Sequence, residues 1–379
     1  MEKLPNDLIS ITILSRLPIK TLMICKCVSK QWFSLISSSH FAETQLQRSS
    51  HFSSNSILTL NYEGIFESIN YEAFDKNLDY FSRKFEGNHE NKINTRLIAS
   101  CNGLVLLISS LVLVNDRHNN DFDYIVYNPC LGVGDNNFVS IQNDRIIVSN
   151  RGENQFSFGF GYVSSTKDYS IVAISLSISP RRPGIVVYVY SLRYRQWQTP
   201  RIFMRHLSSL SCQECWYNCI GVLVNETLHW VFTLGKLAKY IGAFNLANNT
   251  DDAFKLMDLA PKTELGDDRV IKLCNMDGCL CAWGEYDGHL IKMWVMKEYG
   301  VTKSWTCLLK LSLGGICHGI FQRTESGKVM IVVENDLVLV DTRSDPPNFV
   351  QFHRCERLSE VVNYVQSLIR PNIEPRQEV

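Results

Sequence analysis

An excess of charge of one sign is missing from this sequence: 38 lysines and arginines offset 38 aspartates and glutamates. That balance argues against a nucleic-acid or membrane surface held by charge. Long apolar runs are missing as well. The greasiest stretch, Leu104 to Val114, is interrupted by Ser109 and Ser110 and is shorter than the ~20 residues a spanning helix needs. Glu2 and Asp7 stand where a secretory signal would place its basic and apolar regions. The expected compartment is therefore the cytoplasm or nucleus, with the 13 cysteines reduced. Catalytic constellations are absent too. There is no Gly-x-Ser-x-Gly elbow and no His-Glu-x-x-His, and Cys101-Asn102-Gly103 lacks the lysine of a phosphate loop. Phe158-Gly159-Phe160-Gly161 lies between strand-like runs and opens no helix, so its glycines read as marks of close strand packing. Cys212, Cys215 and Cys219, with His206 and His229 near in sequence, lack the second paired knuckle of a zinc site and read as strand and loop cysteines. No catalytic residue, metal or cofactor is expected.

What is present begins at the N-terminus. Pro5 and Asp7 suit a first helical turn, and Leu8, Ile9, Ile13, Leu14 and Leu17 make a wide apolar stripe. Pro18 pushes Leu17 away from the α region and ends that helix. A second short helix runs through Leu22 and Cys25, and Val28, Trp32, Leu35 and Ile36 fall on one face of a third. Three helices in ~40 residues cannot bury that stripe among themselves. It belongs either to a docking surface for another protein or to a helical cap on the rest of the chain, and periodicity leaves both open.

From Ser56 onward the period changes from helical to β, after a serine-rich stretch, 49–56, that reads as a linker. One element recurs: an alternating strand, a polar loop, then an aromatic. It appears as Val187–Leu192 with Trp197, Ile241–Leu246 with Phe254, Ile291–Met296 with Trp305, and Leu337–Asp341 with Phe349. The equivalent residues Tyr190, Phe244, Trp294 and Val340 are separated by 54, 50 and 46 positions, with an earlier copy at Tyr127. A second element is a turn followed by a strand: Asn102-Gly103, Asn225-Glu226, Asp277-Gly278 and Ser326-Gly327. Two hairpins in ~50 residues have the period of a kelch-like blade, and the chain has room for about six, or seven. Because a propeller must not leave a raw edge, the strand-like segment Val361–Ile369 is expected to pair with the first blade near Ile57–Leu60.

Two resemblances follow. Leu4-Pro5-x-Asp7-Leu8, Ile13-Leu14-x-Arg16-Leu17-Pro18, Lys26-Cys27-Val28-Ser29-Lys30-x-Trp32 and Leu35-Ile36, ending at Phe41, resemble the F-box. Ser100–Leu104, Tyr127-Asn128-Pro129, Phe158–Tyr162, Lys167-Asp168-Tyr169, Val189–Leu192, Leu228-His229-Trp230, Trp294–Gly300 with Ser304-Trp305, and Tyr364–Leu368 resemble the plant F-box-associated domain. Glu226 departs from that pattern, standing where glycine is usual. The resemblance implies a mainly β chain: a three-helix F-box over 1–48, a linker over 49–56, a kelch-like propeller over 57–372 and a polar tail over 373–379.

It also implies a function. The F-box would dock on a Skp1-like adaptor, with Leu4, Pro5, Leu8, Ile13, Leu14, Leu17, Pro18, Leu22, Val28, Trp32, Leu35 and Ile36 as adaptor-facing or internal residues. Cullin and RING subunits would follow through that adaptor. The propeller would hold a protein target for ubiquitination, so the chain would be a receptor and not an enzyme. A propeller enzyme and an F-box protein acting outside a ligase are the rivals. For the unknown target, Arg181 and Arg182 in one loop and Arg205, Trp216 and Tyr217 in another are the candidate contacts, because binding energy concentrates in arginines and aromatics on loops.

Overall fold

The computed structural model describes residues 13–49, 56–61, 63–70, 80–84, 94–110, 122–131, 137–142, 156–177, 184–204, 210–211, 220–234, 238–259, 271–286, 290–324, 326–344, 347–355 and 358–371. The fold is mainly β, and the described residues form N-terminal helices and six antiparallel sheets of four or five strands, in keeping with the expected blades, about six in number. The chain divides into two compact units. The first holds the helices and two blades. The second holds the other four blades.

In the first unit one blade is assembled from both ends of the chain. Strands Ser56–Asn61, Ile65–Asn70 and Tyr80–Lys84 are joined by Leu358–Tyr364, which lies beside Ser56–Asn61. The closing strand is therefore the expected one, but it begins earlier and stops at Tyr364, short of Ile369. Tyr364 is buried with Leu58, Leu60, Phe66, Leu97, Val105, Leu107, Ile125 and Tyr127. Glu360 accepts from the Arg96 Nε at 3.0 Å and from the Leu97 amide at 3.1 Å, tying the closing strand to the second blade.

The sequence repeats have a structural meaning. Tyr127, Tyr190, Phe244, Trp294 and Val340 all lie on the third strand of their blades and are buried. The trailing aromatics sit on the fourth strand. Trp197 stands opposite Tyr190, Phe254 opposite Phe244, Phe349 opposite Val340, and Trp305 opposite Met296. The turn signals join first strand to second. Asn102 and Gly103 take φ of 53° and 83°, and Asp277 and Gly278 take 53° and 78°, the paired positive values of a two-residue hairpin turn. Asn225 and Glu226 adopt the same conformation at 50° and 56° without a glycine. Left-handed backbone is costly for a glutamate. Glu226 offsets that cost by accepting the Ser164 amide at 3.0 Å through its carboxylate.

In the second unit the motif residues bind one another. The Asp168 carboxylate is buried and accepts from the Ser191 hydroxyl and from the Arg193 amide at 2.9 Å, which joins the Lys-Asp-Tyr run to the Tyr-Ser-Leu run. Gly159 is where a side chain would collide. A Cβ there would lie 2.8 Å from the Leu228 Cδ1 and 3.0 Å from the Trp230 ring. The glycines mark close packing, as the sequence implied, and not a phosphate loop.

His229 is fully buried. Its Nδ1 lies 3.0 Å from the Val222 carbonyl and its Nε2 2.7 Å from the Tyr299 hydroxyl. Nδ1 must donate to the carbonyl, and the tyrosine hydroxyl can donate to Nε2 when the ring is neutral. Burial outweighs the backbone hydrogen bonds and lowers its pKa from 6.5 to about 4. The folded chain thus binds fewer protons than the unfolded chain between those values. The histidine's contribution is full above pH ~6.5 and falls by up to about 3 kcal/mol as pH drops toward ~4. Urea midpoints at pH 7 and 4.5 should separate for the native chain and converge in His229→Gln. Equal separation in both would assign the acid sensitivity to other groups.

Candidate docking surface on the N-terminal helices

Leu14–Arg16 form a single 3-10 turn, and Leu17 is extended at φ −78° and ψ 148°, as the following proline requires. Helices α1 (Ile19–Cys25), α2 (Lys30–Ile36) and α3 (Ser39–Ser49) follow. Ser29 caps α2 by accepting the Trp32 amide at 3.1 Å, and Ser38 accepts the Phe41 amide at 3.2 Å at the head of α3. The Ser29 cap corrects one expectation. Val28 precedes the cap, so it does not share the α2 face with Trp32, Leu35 and Ile36.

The helices direct one set of side chains inward. Leu14, Ile19, Leu22, Ile36, Phe41 and Ala42 form a buried cluster, and Leu17, Trp32 and Leu35 pack on it half-buried. The same cluster takes in Leu368, Ile369, Cys130 and Leu131 from the blade region. Part of the predicted apolar stripe is therefore spent on the chain's own core, as a helical cap would spend it.

A second set is left in water. Ile24 is 66% exposed, Val28 64%, Phe33 57% and Ile13 49%. Pro18 is exposed as well. Large apolar side chains in water on so small a module mark an interaction surface. No acidic residue occurs from Ile13 to Phe33, whereas Arg16, Lys20 and Lys30 are exposed among these positions. Lys26 is half-buried, and burial together with the nearby Arg370 guanidinium lowers the pKa of its ammonium. The exposed side chains of these helices are thus apolar and basic.

Of the residues expected to meet an adaptor, Ile13, Pro18 and Val28 are on the exposed side. Leu14, Leu22 and Ile36 are internal, and Leu17, Trp32 and Leu35 lie between. Leu4, Pro5 and Leu8 lie outside the described residues. Ile24 and Phe33 were not anticipated. Their signal was available, since both are large apolar residues off the inward-facing helical period. Arg181, Arg182, Arg205, Trp216 and Tyr217 all lie outside the described residues, as do Cys212, Cys215 and Cys219.

Two buried blade thiols, Cys101 and Cys317, are poor nucleophiles. Burial pushes Cys101 up to about 12, and burial likewise pushes Cys317 up to about 12, so both are neutral thiols at physiological pH. No described helix is long and apolar enough to cross a membrane.

Residues 55–371 match the F-box associated beta propeller domain, and residues 1–44 match the F-box domain. Among curated relatives, the F-box protein CPR1 of Arabidopsis thaliana is 27% identical over 325 residues, covering 81% of this chain and 72% of its own. The F-box/kelch-repeat protein At3g23880 of the same plant is 23% identical and covers 95% of this chain and 94% of its own. Among solved structures, prolyl oligopeptidase B from Galerina marginata aligns at a TM-score of 0.40 and 9% identity, over 92% of this chain and 58% of its own, too low to carry a functional argument.

Proposed function

The chain belongs to the F-box proteins that carry an F-box associated beta propeller domain, and from that premise we propose that it is the substrate-recognition subunit of a Skp1–cullin–F-box ubiquitin ligase. The observation that carries the reading is the exposed set Ile13, Ile24, Val28 and Phe33 in the F-box region, with Arg16, Lys20 and Lys30 exposed in the same segment. Such a surface fits a Skp1-like adaptor that offers an apolar groove with acidic margins. The adaptor brings cullin and RING subunits, and the blades hold a target protein within reach of the ubiquitin-loaded enzyme. The work of the chain is then proximity, and it forms no covalent intermediate. The enzyme rival finds no support in the buried, neutral His229 or in the buried thiols. The site of action is the cytoplasm or nucleus.

The test is capture on an immobilised Skp1-like adaptor. Val28→Asp/Phe33→Asp should weaken capture by more than ~30-fold, as truncation of a few central anchors does at other interfaces, while the blades melt as in the native chain. Capture of the native chain should also weaken with added salt, because Arg16, Lys20 and Lys30 are exposed. Undiminished capture of the double variant would overturn the docking assignment. Co-purification of native chain with cullin separates a ligase subunit from an F-box protein that works elsewhere.

A further inference from the structure

The segment that follows the closing strand belongs to no ladder, yet it is among the most tightly held parts of the first unit. Ser367 is fully buried and Leu368 nearly so. The Ser367 hydroxyl donates to the Asn102 carbonyl at 2.7 Å and accepts the Ile369 amide at 3.2 Å. The Asn128 side-chain amide donates to the Ser367 carbonyl at 3.0 Å and to the Ile369 carbonyl at 2.6 Å. Asn128 is itself fixed, because its Oδ1 accepts the Cys130 amide at 2.9 Å and its carbonyl accepts from the Asn137 side chain at 2.9 Å. Gly103 leaves the space. A Cβ there would lie 2.7 Å from the Ser367 Cβ and from the Val365 carbonyl oxygen. The Ser367 hydroxyl and the carbonyls of Ser367 and Ile369 are thus bound to Asn102 and Asn128 of the second blade. The segment's apolar side chains, Leu368 and Ile369, are spent on the helices, in one cluster with Leu14, Ile19, Leu22, Ile36, Phe41 and Ala42.

We infer that Val365–Arg370 is a seat that fixes the F-box helices on the first two blades, with Asn128 and Leu368 as positioning residues for ubiquitin transfer. The inference rests on the proposed receptor role for its consequence, though not for its geometry. A receptor supplies catalysis only by placement. A swinging F-box would spread the ubiquitin-loaded enzyme over many lysines, whereas a seated one confines it to a few. The segment faces both ways, since Ser367 binds the blade and Leu368 binds the helices. It therefore couples the module that meets the adaptor to the domain that carries the target.

The test uses the full chain in two variants, Leu368→Ala/Ile369→Ala and Asn128→Ala. In hydrogen–deuterium exchange, peptides from 13–49 should exchange at least ~10-fold faster in both, while peptides from 56–70 and 184–204 keep native rates. Unchanged exchange in the helices would overturn the seat, and so would equal acceleration of every blade, which would make the segment a closing element only. The second readout is the pattern of ubiquitin on the chain's own lysines, mapped by mass spectrometry in the assembled ligase. Native chain should carry it on a restricted set, and the variants on additional lysines. An identical pattern would overturn the positioning role. Failure of the receptor reading is distinct, because native chain would then not be captured by the adaptor, while the exchange experiment would still report on the seat.

Discussion

Deleting residues 360–379 is expected to abolish stable folding of the chain. The deletion removes most of the strand that lies beside Ser56–Asn61 and leaves that strand as an open edge in the first blade. It also removes Tyr364 from a core of eight other buried residues. Loss of a buried aromatic alone costs about 3–5 kcal/mol. The Glu360 hydrogen bonds to Arg96 and Leu97 go too, and so does Leu368 from the helix cluster. Their sum is comparable with the whole stability of an ordinary domain, about 5–15 kcal/mol. Insoluble expression, or loss of the cooperative thermal transition, is the expected result. A truncated chain that stays soluble and melts at the native temperature would show that the first blade closes without its C-terminal strand. Deleting only 372–379 removes none of the contacts described and serves as the control.

What the sequence disclosed, and what it hid, follows from how far each contact reaches. The third-strand repeat was legible because neighbouring strands impose an alternation that each blade must meet by itself. The two-residue turns at Asn102-Gly103 and Asp277-Gly278 were legible because their backbone demands a residue type. Glu226 shows the limit of that rule, since its substitute for glycine is a hydrogen bond to Ser164, 62 positions away. The end of the closing strand was misplaced for the same reason. Val361–Ile369 has strand composition throughout, but Ser367 is claimed by Asn102 and Asn128, more than 230 positions upstream. The apolar stripe on the helices was visible as a stripe. Its division was not, because what turns Leu14 and Leu22 inward is Leu368, far along the chain. Ile24 and Phe33 lie outside that cluster and are exposed.

Trp230→Ala is expected to destabilise the second unit severely, by about 3–5 kcal/mol. The ring is fully buried with Phe232, Phe244, Phe254 and Leu228. The backbone is arranged around it. A Cβ on Gly221 would lie 2.6 Å from the ring's Cε2 and Cζ2, and one on Gly159 would lie 3.0 Å from Cζ2. The carbonyl of Phe158 accepts the Gly221 amide at 2.6 Å and the indole N–H at 3.4 Å, so one acceptor holds both the neighbouring strand and the ring. Removing the indole leaves a cavity walled by two glycines, which have no side chains to move into it. Strands already in contact relax little, so the cavity stays open. Gly221→Ala tests the same packing from the other side, since its methyl group must displace the ring, at about 1–3 kcal/mol. Both variants should lower the urea midpoint, with Trp230→Ala the lower of the two. Because the ring and Gly221 are in contact, the double variant Trp230→Ala/Gly221→Ala should lose less than the two single losses combined, as the new methyl then occupies part of the vacated space. Strict additivity in that cycle would mean that the glycine does not accommodate the ring.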